Sequence, residues 1–121
     1  MTAHQVLATV AASDFGASRA WYARLFGRVP DNAPDAACAE WQIASRTRIQ
    51  LRPRDELADA PWQAGPASLG IMVDNLDEML RDLHTRQIDV PIPQLATHFV
   101  RVVPVRDPDG NMVTFVESAA A

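Results

Sequence analysis

The stretch SLGIMVDNLDEMLRDLHTRQIDVP, Ser68–Pro91, decides the fold, because it is the second copy of one pattern. Laid over LATVAASDFGASRAWYARLFGRVP, Leu7–Pro30, at an offset of 61 residues, it matches Val10 with Ile71, Asp14 with Asn75, Phe15 with Leu76, Tyr22 with Leu83 and Pro30 with Pro91. Each copy reads as a short alternating strand, a capped helix and a run into a proline turn. In the later copy Leu76, Met79, Leu80 and Leu83 fall at the spacing of a single helical face. Asn75 stands at the cap, Asp77 and Glu78 complement the positive end of the helix dipole, and Glu78 is spaced for a capping box. In the earlier copy Asp14 caps, Ser18, Trp21, Tyr22 and Leu25 form the buried face, and Gly27 ends the helix.

Working outward, further strands are predicted over Arg28–Asp31, Cys38–Ala44 and Thr47–Arg52, and then over Ile88–Pro91, Phe99–Arg106 and Asn111–Glu117. Between the halves, PRDELADAPWQAGPA shows neither the helical nor the strand period and reads as a connector. The order is β-α-β-β-β twice. It predicts an α+β fold, a βαβββ unit repeated, whose helices cover one face of the sheet and leave the other free. Module one spans about 4–53, the connector 54–66 and module two about 67–118, within a single domain covering residues 1–121, a length that holds one core.

Composition narrows the function. Apolar residues make up 48% and charged residues 21%, the balance of a folded domain rather than a disordered one. A net charge of −4 gives a phosphate backbone or an anionic membrane no basic surface, so nucleic acid is not an expected partner. Cys38 is the only cysteine, which rules out an internal disulfide and a cysteine-clustered metal site. No targeting segment or membrane-length apolar run is present, so a cytoplasmic protein is expected.

Side chains alternate across a strand, so the residues that meet the helices identify the opposite face by parity. With Val6, Ala8 and Val10 inward, Leu7 and Thr9 are left free. With Leu69, Ile71 and Val73 inward, Ser68, Gly70 and Met72 are free; with Val113 and Phe115 inward, Met112, Thr114 and Val116 are free. Ile49 and Leu51 inward leave Arg48, Gln50 and Arg52, and Phe99 and Val103 inward leave Val102 and Pro104. If Trp41 and Ile43 are core, Glu40 and Gln42 join the free face; a Trp41 that stacks on a ligand would reverse this parity. A surface of that mixed character suits the wall of a ligand cavity, and equally a surface covered by another subunit.

ASDFGASRAWYARLFG resembles the opening motif of the vicinal oxygen chelate superfamily, and RDPDGNMVTFVE resembles its closing D-P-D-G-N motif. VDNLDEMLRDLHTRQIDV is similar to the segment that opens the family's second half. The superfamily contains glyoxalases, extradiol dioxygenases, fosfomycin-resistance enzymes and bleomycin-binding proteins, and the resemblance implies two βαβββ modules forming a cupped mixed sheet with helices on the outer face, commonly paired into dimers. In the enzymes of the family, the last strand presents a glutamate to a divalent metal, and the first strand of each half presents a further ligand. Carried over by position, those places fall on Thr114, Leu7 and Ser68. A hydrocarbon and two neutral hydroxyls are not the imidazoles and carboxylates that such metals require, and Gln50 alone would not replace them.

The expectation is therefore a homodimeric, metal-free and cofactor-free binder of a small organic molecule, resembling the bleomycin-binding members. Leu7, Met72, Val102, Pro104 and Met112 would supply apolar contact, and Thr9, Gln50, Ser68 and Thr114 would orient the ligand. The alternative is a lyase, isomerase or dioxygenase of the same superfamily. His98 after the PIPQLAT loop, or Glu40, would be its candidate acid or base, and Arg48 and Arg52 could hold an anionic group.

Overall fold

The computed structural model describes residues 1–57, 66–97 and 100–118. The chain divides into two compact units, Met1–Pro66 and Ala67–Ala121. In the first, β1 (Val6–Ala12) leads to α1 (Phe15–Phe26), β2 (Asn32–Asp35), β3 (Cys38–Ala44), β4 (Thr47–Pro53) and a 3-10 turn at Arg54–Leu57. The sheet order is β1-β4-β3-β2. β1 and β4 run parallel, a pairing that needs a crossover, and α1 supplies it. Asp14 caps α1 by accepting from the Ala17 N–H at 3.0 Å, and Gly27 ends it at a φ of 73°, which glycine adopts without a Cβ penalty.

The helix lays Ser18, Tyr22 and Leu25 on one face of this sheet. Tyr22 and Phe26 ring centroids lie 6.1 and 5.7 Å from that of Trp41 on β3, within the range for favourable aromatic pairs. Trp41 is fully buried, and its indole N–H donates to the Arg28 carbonyl at 3.0 Å, so the ring anchors the chain as it leaves the helix. Val10, Ile49 and Leu51 complete the core here as parity predicts. Val6 does not: it is 54% exposed, because it opens the edge strand, pairing with Thr47 at the margin of the sheet.

In the second unit β5 (Ser68–Met72) is followed by α2 (Leu76–Thr85), β6 (Gln94–Thr97), β7 (Val100–Arg106) and β8 (Met112–Ser118), in the order β5-β8-β7-β6. Asn75 caps α2 by accepting from the Glu78 N–H, and Leu76 and Leu83 are fully buried. A longer-range partner completes this helix start: the Leu76 N–H donates to Glu117 on β8 at 2.6 Å. Arg101 then ties β7 to both, reaching Asp77 at 2.9 Å and Glu117 at 3.4 Å.

Two strands lie further along the chain than the sequence pattern predicts. Residues 28–31 do not enter the first sheet as a strand, because the Arg28 N–H is spent closing α1 on the Ala23 carbonyl. Asp31 meets β3 partly through its side chain, which accepts from the Gln42 N–H, and the strand itself starts at Asn32. Likewise the Ile88 N–H returns to the Leu83 carbonyl and Ile88 is buried under the end of α2. Pro91 and Pro93 cannot donate to a ladder, and β6 starts only at Gln94. The predicted connector also contains the 3-10 turn at Arg54–Leu57.

The DPDG turn fixes β8. Asp107 is buried and accepts from the N–H groups of Asp109 and Asn111 and from the Asn111 side-chain amide, at 2.9, 2.8 and 2.7 Å. Gly110 adopts a φ of 84°. Asn111 passes the restraint on, accepting from the Ala67 N–H at 2.6 Å at the mouth of β5.

Candidate functional site

Each sheet carries its helix on one face and leaves the other bare, so the candidate residues are those whose strand parity puts them opposite the core. In the first unit the bare face carries a continuous polar row. Register places Thr9 beside Gln50 and Gln50 beside Glu40. Gln50 donates through its amide to Glu40 at 2.8 Å and accepts the Thr9 hydroxyl proton at 3.1 Å. The other Glu40 oxygen accepts from Asn32 on β2 at 2.9 Å and from Arg48 at 3.1 Å.

Glu40 is only 7% exposed, yet it remains a carboxylate. The Asn32 hydrogen bond acts most strongly to hold its pKa below the usual glutamate range. Burial opposes this, and the bonds from Gln50 and Arg48 reinforce it. An ionised, fully engaged carboxylate is a poor general acid, and its lone pairs are already taken. It serves instead to set Gln50: an acceptor on that side forces the amide to turn its NH2 toward Glu40 and its oxygen toward Thr9. The buried Cys38 thiol lies 4.0 Å from Glu40; burial first, and then the carboxylate's charge, raise its pKa, so it stays a thiol.

On either side of Gln50 along β4, Arg48 and Arg52 stand on the same face, about a third exposed. Arg52 pairs with Glu56 at 2.9 Å. The Nε of each arginine is shielded and has no hydrogen-bond partner among the described residues. Leu7, half exposed, adjoins Arg48 on β1.

The bare face of the second unit has different chemistry. Ser68 pairs with Met112, Gly70 with Thr114 and Met72 with Val116. Val102 and Pro104 sit across from Val116 and Thr114. This wall is apolar apart from Ser68, Thr114 and, toward its margins, Gln94 across from Val102 and Arg106 across from Met112; Met72 is 72% exposed. Thr114 thus occupies in the second sheet the place that Gln50 holds in the first, beside residues related by the same 61-residue offset, Gly70 and Thr9.

The donor set does not fit a divalent cation. Leu7 has no donor atom, Ser68 and Thr114 offer neutral hydroxyls, and both ends of the Gln50 amide are engaged. Glu117 does not replace a glutamate at 114: three residues on, it lies on the opposite face of β8 and caps α2. Among the described residues, no three His, Cys, Asp or Glu side chains are grouped closely enough to hold a metal. His98 lies outside the described residues. A surface hollow of about 340 Å³ lies on the helix side of the first unit, between α1 and Val29–Pro30, with Arg19 as its one charged group; it is remote from the polar row.

Sequence parity identifies the bare faces, including Glu40, but not the network within them. Asn32 is missed because its strand is placed four residues too early. The two-residue turn Ser45–Arg46 sets Glu40 opposite Gln50, whereas Asn32 reaches Glu40 through the separate β2–β3 turn, where the Ala37 N–H donates to Asp35.

Two units of this order, each a four-stranded mixed sheet with a helix on one face, define the paired βαβββ class of protein. A solved structure described as a glyoxalase/bleomycin resistance protein from Catenulispora acidiphila is 31% identical with a TM-score of 0.81, covering 95% of this chain and 98% of that one. A lactoylglutathione lyase from Agrobacterium tumefaciens shares the fold at 20% identity and a TM-score of 0.77, covering 97% of this chain and 95% of its own. A glyoxalase/bleomycin resistance protein/dioxygenase from Nocardioides does so at 12% identity and 0.76, covering 98% and 85%. No protein-family model matches the chain, and no curated protein does. The chain belongs to the glyoxalase/bleomycin-resistance, or vicinal oxygen chelate, superfamily. No described helix is long and apolar enough to cross a membrane.

Proposed function

We propose that this protein binds a small organic molecule on its bare sheet faces without the help of a metal, in the manner suggested by its likeness to a glyoxalase/bleomycin resistance protein. The observation that carries the reading is the contrast between an ordered polar row and a chemically quiet apolar wall. Thr9 and Gln50 have fixed donor and acceptor directions, while Leu7, Met72, Val102, Pro104 and Met112 offer apolar contact and Ser68 and Thr114 neutral hydroxyls. Taken separately, a few oriented polar groups beside the exposed Leu7 on the first sheet, and two hydroxyls among hydrocarbon side chains on the second, each have the mixed polar and apolar composition of a ligand surface. Exposed Leu7 and Met72 on the bare faces support a homodimer, in which part of that surface is covered, and the single buried thiol suits a cytoplasmic setting.

A lyase or dioxygenase reading finds less support. It needs a metal donor set or a free acid–base group, and Glu40 is ionised and saturated. The test is a thermal-shift screen of small aromatic and heteroaromatic compounds in the presence of EDTA. Hits that raise Tm with the chelator present support a metal-free binder. A panel with no hits, or hits that vanish on chelation and return with Ni(II), Zn(II), Mn(II) or Fe(II), overturns it.

A further inference from the structure

The polar row fixes the direction of its own hydrogen bonds, and this direction says what a ligand must bring. Glu40 is a carboxylate and can only accept. One of its oxygens is filled by Asn32 and Arg48, the other by Gln50 with the Cys38 thiol at 4.0 Å. The Gln50 oxygen accepts from Thr9 and keeps one lone pair. Apart from that and the Thr9 lone pairs, the acceptors of Glu40 and Gln50 are consumed. Uncommitted among the described residues over β4 is a set of donors: the second amide hydrogen of Gln50 and the Nε–H groups of Arg48 and Arg52.

Both guanidinium groups are held by single contacts, Arg48 through one NH1 to Glu40 and Arg52 through one NH2 to Glu56. Neither uses the planar fork of Nε and a terminal nitrogen that grips two oxygens at once. A shielded donor without a partner is unfavourable, so each head gains by turning that edge to an incoming pair of acceptors. All the cationic side chains of this protein are arginines. The geometry points to an organic carboxylate as the ligand class, its two oxygens seated against Arg48 and Gln50 with Arg52 as the flanking cation, and its apolar body against the exposed Leu7 beside Arg48 on the same sheet. A dianionic phosphate fits less well, because the Glu40 carboxylate stands in the row beside Gln50 and Arg48 is the cation that compensates it.

This inference rests on the small-molecule reading above and names the chemistry of its ligand. The test compares 2-naphthoate with its neutral isostere 2-naphthamide, followed by 1H–15N spectra of the full chain, with 2-naphthyl phosphate as a third probe. The expected result is a carboxylate bound about tenfold or more tighter than the amide, with shifts at Thr9, Arg48, Gln50 and Arg52, weakening as NaCl rises. Two variants locate the effect. Arg48→Lys keeps the charge that Glu40 needs but removes the fork, and Arg52→Gln removes a cation tied only to a surface carboxylate; each should cut the preference several-fold while the spectrum stays that of the folded protein. Equal binding of acid and amide, a preference unchanged in both variants, or a phosphate bound more tightly than the carboxylate overturns the carboxylate assignment and leaves the binder reading standing. If none of the three probes shifts any resonance on either sheet face, both fall together.

Discussion

Glu40 shows what a single buried charge does here. Its carboxylate is almost enclosed and fully hydrogen-bonded, so its removal costs more than a surface pair would. Glu40→Gln keeps the shape but sets an NH2 against donors already pointing inward; the expected loss is about 2 kcal/mol at pH 7. Most of this belongs to the Asn32 and Gln50 bonds, since Arg48 is a third exposed and water screens its share. The pH dependence has a definite sign. Because folding lowers the Glu40 pKa, its stabilisation is complete above the ordinary glutamate value and fades as pH falls through the lowered one. Urea unfolding should show the gap between wild type and Glu40→Gln narrowing between pH 7 and pH 3; a constant gap would contradict the assignment. From sequence, this residue's face follows from the alternation with Trp41. Its protonation state does not, because that depends on Asn32 and Gln50 approaching from two other strands.

At the level of elements, the helices and their caps are legible from local chemistry. Asp14, Asn75 and Gly27 act within a few residues of where they stand, and no distant contact can alter their role. β3, β4, β7 and β8 are legible within a residue or two because their alternation is set by buried partners. β2 and β6 are misplaced in both halves for one shared reason. The residues after each helix look extended and proline-bounded, but Arg28 and Ile88 give their N–H groups to closing the helix. Hydrophobic pattern does not record how many residues a helix end consumes. The DPDG turn carries the prediction at this level: Asp107→Ala removes three acceptor contacts from a buried site and strands the Asn111 N–H. The expected cost is about 2–3 kcal/mol. Hydrogen exchange should quicken first at the start of β8 and at Ala67, which the Asn111 side chain holds; loss confined to the turn would show the restraint is local.

For the whole molecule, the repeat in the sequence foretells two units of the same order, and the superfamily fold follows from it. The division of labour between them is less visible. Parity lists polar and apolar residues from both halves together, whereas the polar network lies on the first sheet and the hydrocarbon surface chiefly on the second. With Leu7, Ser68 and Thr114 offering only a hydrocarbon and two neutral hydroxyls, purified protein treated with EDTA and re-exposed to Ni(II) or Zn(II) should retain well below one equivalent per chain. Elemental analysis giving one tightly held ion per chain would refute this and with it the metal-free reading.

β8 is fastened at both ends, by Asn111 to the entrance of β5 and by Glu117 to the first turn of α2. A strand secured in this way behaves as a fixed rail. Met112, Thr114 and Val116, which ride on it with partial exposure, can be exchanged without the backbone sliding. Under the proposed binder function these three positions are where ligand preference can drift at little thermodynamic penalty, and conservative replacements there should alter probe affinity while moving unfolding free energy by less than about 1 kcal/mol in parallel urea titrations.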